Sequence, residues 1–213
     1  MKKILLALTI IFLSACSLMG TSSPKQVVSS FLDKYKNQDT EVLTQLDDTI
    51  NREYTNETYR SRYRYLMTNQ YKNMEYKIKD EIIEDDNAVV EVEVTVYDYA
   101  SSIRNSNEYL NSHSDEFMIK DKATINEEDK NDETTKDDVD TEDKMKDNNT
   151  NNSLLNSYDE DKFTDYKLTQ MENVNDTVTY TLEFTLTKVD NKWQMDSLSN
   201  ADIEKIHGIY IQG

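Results

Sequence analysis

The sequence predicts an α+β fold, and three observations support this prediction. Apolar residues first recur with the three-and-four spacing of helices, over roughly residues 24–71. Two later stretches alternate apolar and polar residues with period two, and a short polar turn divides each of them, as in β-hairpins. Because the helical and strand patterns lie in separate stretches, we expect helices packed on an antiparallel sheet.

Three helices are predicted before the first strand. The first begins at Pro24, where Ser23 can serve as N-cap and Gln26 can complete a capping box. Its apolar stripe consists of Val27, Val28, Phe31, Leu32 and Tyr35. A short second helix should follow Asp39, and a third should cover about residues 56–71. The inward-facing residues of the third helix are then Tyr59, Tyr63, Leu66 and Met67.

The first predicted hairpin turns at residues 84–87. One face of its first strand carries Tyr76, Ile78 and Ile82. One face of its second strand carries valines at alternate positions, Val90, Val92, Val94 and Val96. Branched side chains such as valine pack well on a pleated surface, so this face is predicted to be buried.

The second hairpin contains the clearest strand of the chain and turns at Asp190 and Asn191. Its long strand places apolar side chains on one face, namely Val178, Tyr180, Leu182, Phe184 and Leu186. Trp193 and Met195 should point inward from the return strand. A terminal helix should follow, with Asn200 as its cap.

Three remaining stretches are less regular. Residues 100–118 are compatible with a helix whose apolar positions are Ile103, Leu110 and Phe117, and residues 159–171 fit either a short helix or a strand. Residues 121–152 contain many acidic residues and no aromatic one. Such a segment buries too little apolar surface to offset its ordering entropy, so we predict a disordered acidic insert there.

The N-terminus resembles the signal peptide of bacterial lipoproteins. Two lysines precede an apolar run at residues 4–12, which is too short to cross a bilayer core of about 30 Å. Every lipobox position then matches, with Leu13, Ser14, Ala15 and Cys16. The resemblance implies cleavage between Ala15 and Cys16 and a diacylglycerol on the Cys16 sulfur. Two acyl chains anchor a protein stably to a membrane.

Two alternatives for this leader are an ordinary secreted protein with an accidental cysteine and a retained transmembrane helix. Cys16 is the only cysteine of the chain, so it has no partner for an internal disulfide in an exported protein. This favours lipidation and an extracytoplasmic location on the cell membrane. The predicted organisation is a signal peptide at 1–15, a lipidated tether at 16–23 and one ectodomain at 24–213 that contains the acidic insert.

Charge excludes one class of partner. The formal net charge is −18, and removal of the leader with its two lysines makes the mature chain more negative by two units. Nucleic-acid binding depends on a basic surface, so no nucleic-acid partner is expected. The predicted partners are the membrane, through the lipid on Cys16, and either an envelope protein or a small apolar ligand.

The stretch PKQVVSSFLDKYKNQD at 24–39, followed by helices and by a sheet that ends in VDNKWQMDSL, resembles the nuclear-transport-factor-2-like fold. It is more similar still to bacterial lipoproteins that carry such a domain. The resemblance implies a helix packed across a strongly bent sheet, with a cone-shaped cavity between them. Some members of this group are isomerases that use a cavity carboxylate and a tyrosine, and others only bind or dimerise. The resemblance assigns no catalytic residue to this chain.

Three functions follow as hypotheses, and no cofactor is expected for any of them. The first is a binding or interaction domain without catalysis, which we favour because no nucleophile, base and metal set is assembled in the sequence. The second is a carrier of a small apolar ligand, in a cavity lined by Tyr180, Phe184 and Trp193. The third is an isomerase- or hydratase-like enzyme, which would need a buried carboxylate beside a tyrosine in that cavity.

Several charged or titratable residues outside the cavity are further candidates. Arg60 and Arg64 share a helix face and could contact an acidic or phosphate-bearing partner, or balance carboxylates of the chain itself. His207 near the end of the terminal helix would suit the helix dipole as a cation, and His113 lies in a polar stretch. The carboxylates at 137–147 lack the glycine and the final glutamate of a helix–loop–helix calcium loop, so no metal site is predicted.

Overall fold

The computed structural model describes residues 22–119 and 158–212, and within them the α+β prediction is confirmed. A four-stranded antiparallel sheet has the order β1-β2-β3-β4. The strands are β1 Glu75–Glu84, β2 Asn87–Tyr97, β3 Thr177–Val189 and β4 Lys192–Met195. The helices are α1 Pro24–Lys36, α2 Thr40–Glu53, α3 Glu57–Asn73, α4 Tyr99–Ser112, α5 Glu160–Glu172 and α6 Asn200–His207. A 3₁₀ helix, Ser114–Phe117, follows α4.

Both hairpin turns lie at the same end of the sheet, which we call the turn end and define by residues 82–87 and 188–193. Asn87 of β2 pairs with Thr187 of β3, and the Lys188 N–H donates to the Asp86 carbonyl oxygen at 2.7 Å. Asp190 and Asn191 have φ values of 50° and 63°. Positive φ at both central residues is typical of the tight turns that join twisted antiparallel strands.

A β-bulge corrects the prediction for the first strand. The pairing of β1 with β2 shifts by one residue between Ile78 and Asp80. Because side chains alternate with period two, the extra residue reverses which face each later side chain occupies. Tyr76 and Ile78 share the face that packs against the core, but Ile82 lies on the opposite face and is 55% exposed. The prediction that Ile82 shares a face with Tyr76 and Ile78 is therefore wrong.

Helix α1 crosses the inner face of the sheet and begins at the turn end. The predicted capping box between Ser23 and Gln26 is present. Near the N-terminus of α1, the Lys25 N–H donates to Glu81 Oε1 at 3.0 Å, close to the turn of the first hairpin. Toward its C-terminus, the Tyr76 hydroxyl donates to Asp33 Oδ1 at 2.8 Å. The buried core lies between this helix, α3 and the sheet.

The core has the composition that strand alternation predicts. All four alternate valines of β2 are buried, together with Leu182, Phe184 and Leu186 of β3. Apolar burial of this kind contributes about 1.5–3 kcal/mol for each large side chain. Helices α1, α3 and α6 all contact β2, so the central strand receives packing from most of the helical layer.

Two of the three less regular stretches lie within the described residues, and both contain helices. Residues 159–171, for which helix and strand were both open, form α5. The helix expected at 100–118 ends at Ser112 and is followed by the 3₁₀ turn, which buries Phe117. The terminal helix is capped by Ser199, whose hydroxyl accepts from the Asp202 N–H, so Asn200 is its first residue and the cap prediction is wrong.

Some predictions fall outside these ranges. The signal peptide, its cleavage between Ala15 and Cys16, most of the 16–23 tether and the acidic insert at 121–152 lie beyond the described residues. Within 22–119 and 158–212, no helix has both the length and the apolar character needed to span a bilayer.

Candidate functional site

A small pocket lies where α1, α2, α3 and α6 meet. Its interior volume is about 10 Å³, which is room for roughly a single water molecule. The wall combines apolar side chains with neutral polar ones, namely Tyr35, Val42, Gln45, Leu46, Thr49, Tyr63, Met67, Tyr71 and His207. No carboxylate belongs to this lining. Anything that enters must therefore be very small or must displace the helices.

His207 is the titratable base of the pocket. Its ring is buried, and Nε2 is hydrogen-bonded to the Tyr71 hydroxyl at 3.2 Å. Burial disfavours the imidazolium form and lowers the pKa of His207 to about 4. The ring is therefore neutral at physiological pH, and the predicted role of a helix-end cation is wrong, because the last turn of α6 faces the core rather than solvent.

The tyrosines around His207 are also held in their neutral form. Burial raises the pKa of Tyr35 to about 12, and it raises the pKa of Tyr71 well above the ordinary value. The Tyr35 and Tyr71 rings meet edge to face, with their centroids 5.2 Å apart. These groups are hydrogen-bonding and packing elements at neutral pH, and none of them is poised as an anion.

Gly208 follows His207 and ends α6 in the left-handed conformation, with φ of 69°. Its carbonyl oxygen accepts from the Ala100 N–H at 2.7 Å, which fixes the start of α4. A Cβ at this position would lie 2.2 Å from both Gln70 Nε2 and the Tyr97 carbonyl oxygen. Only glycine satisfies both the backbone conformation and this close approach.

The residues predicted to line a cavity lie in three different surroundings. Phe184 is fully buried in the core, with its ring 6.0 Å from that of Phe31. Tyr180 is half-buried, and its ring lies 6.1 Å from that of Tyr210. Trp193 is half-buried at the turn end. None of the three belongs to the lining of the pocket described above, so that pocket does not support the predicted cavity.

Arg60 and Arg64 are both occupied by groups of the chain itself. Arg60 Nε donates to the Tyr54 carbonyl oxygen at 2.7 Å, and its Nη1 lies 3.3 Å from Glu57. Arg64 Nε donates to Asp47 at 2.7 Å, and this carboxylate raises the pKa of the guanidinium. Arg60 and Arg64 were expected either to contact an acidic or phosphate-bearing partner or to balance carboxylates of the chain. The contacts described here correspond to the second interpretation.

Arg62 makes the most extensive contacts of the arginines on α3, and sequence reasoning did not single it out. Its guanidinium donates to Glu172 and Asp165 at 2.6 Å each and to Thr169 at 2.9 Å. The three partners are spaced four and three residues apart on α5, so they share one helix face. That spacing was readable in the sequence, but their pairing with α3 depends on the tertiary packing of two distant helices.

His113 stacks on Tyr109, with ring centroids 4.1 Å apart and planes within 10° of parallel. Tyr109 in turn stacks on Tyr166 of α5 at 4.9 Å. The contact between Tyr109 and Tyr166 joins α4 to α5. Among the residues that the structure describes, no three histidine, cysteine, aspartate or glutamate side chains are grouped as a metal ion would require.

Comparison with protein-family models, with curated proteins and with solved structures finds no match to this chain.

Proposed function

We propose that this protein is a lipoprotein anchored on the extracytoplasmic face of the cell membrane, where its domain binds a partner without catalysing a reaction. One observation carries the proposal: Leu13, Ser14, Ala15 and Cys16 form a complete lipobox after a charged and then apolar leader. Diacylglycerol on Cys16 would provide the two acyl chains that hold a protein stably at a bilayer.

The domain is proposed to be of the nuclear-transport-factor-2-like type. The order of its elements supports this, because helices come first and α1 lies across the inner face of an antiparallel sheet. The late β3–β4 pair, with Lys192 and Trp193 at the start of the return strand, also supports it. A fold of this type hosts both enzymes and binding proteins, so it does not decide the activity.

Binding is favoured over catalysis by the state of the candidate groups. His207 is buried and neutral, and its partner Tyr71 is fully enclosed in the core. The pocket beside them has room for about one water molecule and no carboxylate in its wall, which disfavours both an isomerase and a carrier of an enclosed apolar ligand. An exposed surface is therefore the favoured binding element, and an envelope protein the favoured partner.

Mass spectrometry of the protein extracted from its own membranes tests the anchor. We expect an N-terminus at Cys16 that carries the mass of a diacylglycerol. A Cys16→Ala variant should retain its leader and lose that mass, whereas the matched Ser17→Ala variant should be processed normally. An unmodified thiol at Cys16, or membrane-bound Cys16→Ala protein that has lost residues 1–15, would overturn the proposal.

A further inference from the structure

The tether enters the domain at the turn end of the sheet. Only seven residues separate Cys16 from Pro24, the first residue of α1. Even fully extended, the eight steps from Cys16 to Pro24 span at most about 29 Å. The start of α1 is held beside β1, because the Lys25 N–H donates to Glu81 at 3.0 Å and the Lys25 ammonium lies 3.7 Å from the same carboxylate. A lipid on Cys16 therefore keeps this end of the domain close to the bilayer.

Large apolar side chains are exposed at this same end. Ile82 and Ile83 at the end of β1 are 55% and 51% exposed, and Val189 at the end of β3 is 43% exposed. Ile83 is opposite Ala88, and the Lys188 N–H bonds to Asp86, so the end of β3 lies beside the first turn. The bulge in β1 accounts for the exposure of Ile82, because it turns this side chain away from the core, whereas Ile83 lies on the inner face opposite Ala88.

Trp193 of β4 lies at the same end of the sheet and is flanked by lysines. It pairs with Lys188 in the register of β3 and β4, and the Lys188 ammonium lies 5.7 Å from the centre of its ring. Trp193 is half-buried, and Lys192 before it is exposed. Tryptophan and lysine side chains combine an apolar body with a polar tip, which suits the boundary between headgroups and acyl chains.

We propose that the turn end rests on the bilayer surface, with Ile82, Ile83 and Val189 among the lipid headgroups and Trp193 at their edge. This inference rests on the proposed lipid anchor and adds the orientation of the domain to it. The anchor limits the distance between the start of α1 and the bilayer. The exposed apolar residues lie at the end of the domain to which the anchor is joined. The contact would leave the helices α4 and α5 facing away from the turn end, toward solvent and other envelope components.

Acidic residues at the turn end specify which lipid surface suits it. Glu84, Asp85 and Asp86 form the first turn and its approach, and Asp190 lies in the second turn. Three lysines near this end, Lys25, Lys188 and Lys192, carry the opposite charge. Anionic lipids would repel the carboxylates within a screening length of about 10 Å at 0.1 M salt. We therefore expect the turn end to lie closer to the surface of zwitterionic vesicles than to that of anionic vesicles.

The fluorescence of Trp193 tests the orientation, since it is the only tryptophan of the chain. The full-length mature protein, purified from its membranes with its lipid, is reconstituted into phosphatidylcholine vesicles. Bromine atoms placed near the headgroup end of the acyl chains should quench its emission at least two-fold, and iodide in the water should quench it less than in the detergent-solubilised protein.

An Ile82→Ser/Ile83→Ser variant should lose most of the quenching by brominated lipid while it remains attached to the vesicles. Both side chains are more than half exposed, so the fold should survive, and circular dichroism checks this. The matched control is Ile119→Ser. Ile119 is also 55% exposed, but it follows the 3₁₀ helix, which contacts α4 and α5 instead of the turn end. This control should leave the quenching unchanged.

The outcomes separate the two proposals. Protein that carries no lipid and does not enter the vesicles would overturn the proposed anchor. Lipidated, vesicle-bound protein whose Trp193 remains fully open to iodide and unaffected by brominated lipid would overturn only the orientation. Shielding of Trp193 that follows protein concentration, and is the same without vesicles, would assign the turn end to a second copy of the chain and would also overturn the membrane contact.

Discussion

The side-chain amide of Gln70 pairs with both backbone groups of Tyr97, as a neighbouring strand would. Its Oε1 accepts from the Tyr97 N–H at 2.8 Å, and its Nε2 donates to the Tyr97 carbonyl oxygen at 3.1 Å. The same Nε2 donates to the His207 carbonyl oxygen at 3.0 Å. One fully buried side chain on α3 thus joins the end of β2 to the end of α6.

Replacement of Gln70 by leucine should reduce the free energy of unfolding by about 3 kcal/mol, because it leaves three backbone groups in or near the core without their partner. Urea unfolding of the purified protein measures this change. Gln194→Leu, on an exposed position of β4, is the matched control and should change stability by less than about 0.5 kcal/mol. A Gln70→Leu variant as stable as the parent would show that water replaces the amide.

Gly208→Ala should be destabilising by about 3 kcal/mol, since it combines a left-handed backbone with a Cβ that would overlap Gln70 and the Tyr97 carbonyl oxygen. Gly208→Asn separates the two causes. Asparagine tolerates positive φ better than alanine, but its Cβ would meet the same atoms. We expect both variants to lower Tm. If only alanine does so, the backbone conformation and not the close approach is what requires glycine.

Acid should destabilise the protein through His207. As pH falls below 6.5 the unfolded chain takes up a proton on this residue, whereas the folded chain does so only near its lowered pKa of about 4. The contribution of His207 to the free energy of unfolding is therefore fully present above pH 6.5. It declines by up to about 3 kcal/mol as the pH falls toward 4.

Urea unfolding of the parent and of His207→Gln, measured from pH 7.5 to 4.5, isolates this effect from that of the carboxylates. The parent should lose more stability than the variant over this interval. His113→Gln is the control, because His113 is exposed and stacks on Tyr109 at the surface. Identical pH profiles for the parent and His207→Gln would contradict a buried, neutral His207.

Arg62→Met should loosen α5 from α3, because the guanidinium bridges them through Asp165, Thr169 and Glu172. The arginine is only 21% exposed but its partners are more open, so we expect a loss of about 1–2 kcal/mol rather than that of a buried pair. In the variant, amide hydrogen exchange should become faster than in the parent for α5, but not for α1. Arg64→Met, which removes a pair between the neighbouring helices α2 and α3, should leave α5 exchange unchanged.

The local structure of this protein was largely predictable from its sequence. Periodicity predicted α1 and α3, a capping box predicted the start of α1, and the alternating valines of β2 identified the buried face of the sheet. These features are determined by neighbours within a few residues, through helix capping and the alternation of side chains along a strand. The lipobox is equally local, and it remains a prediction because it lies outside the described residues.

Tertiary structure decided the rest. The bulge that exposes Ile82 arises in the pairing of β1 with β2, and His207 is neutral because α6 packs its last turn into the core. Arg62 finds its partners more than 100 residues away along the chain. A local pattern specifies which side chains share a face, but not which other element covers that face. Burial, pairing and charge state depend on which element covers the face, because desolvation and long-range contacts are determined by the groups that lie nearby in space.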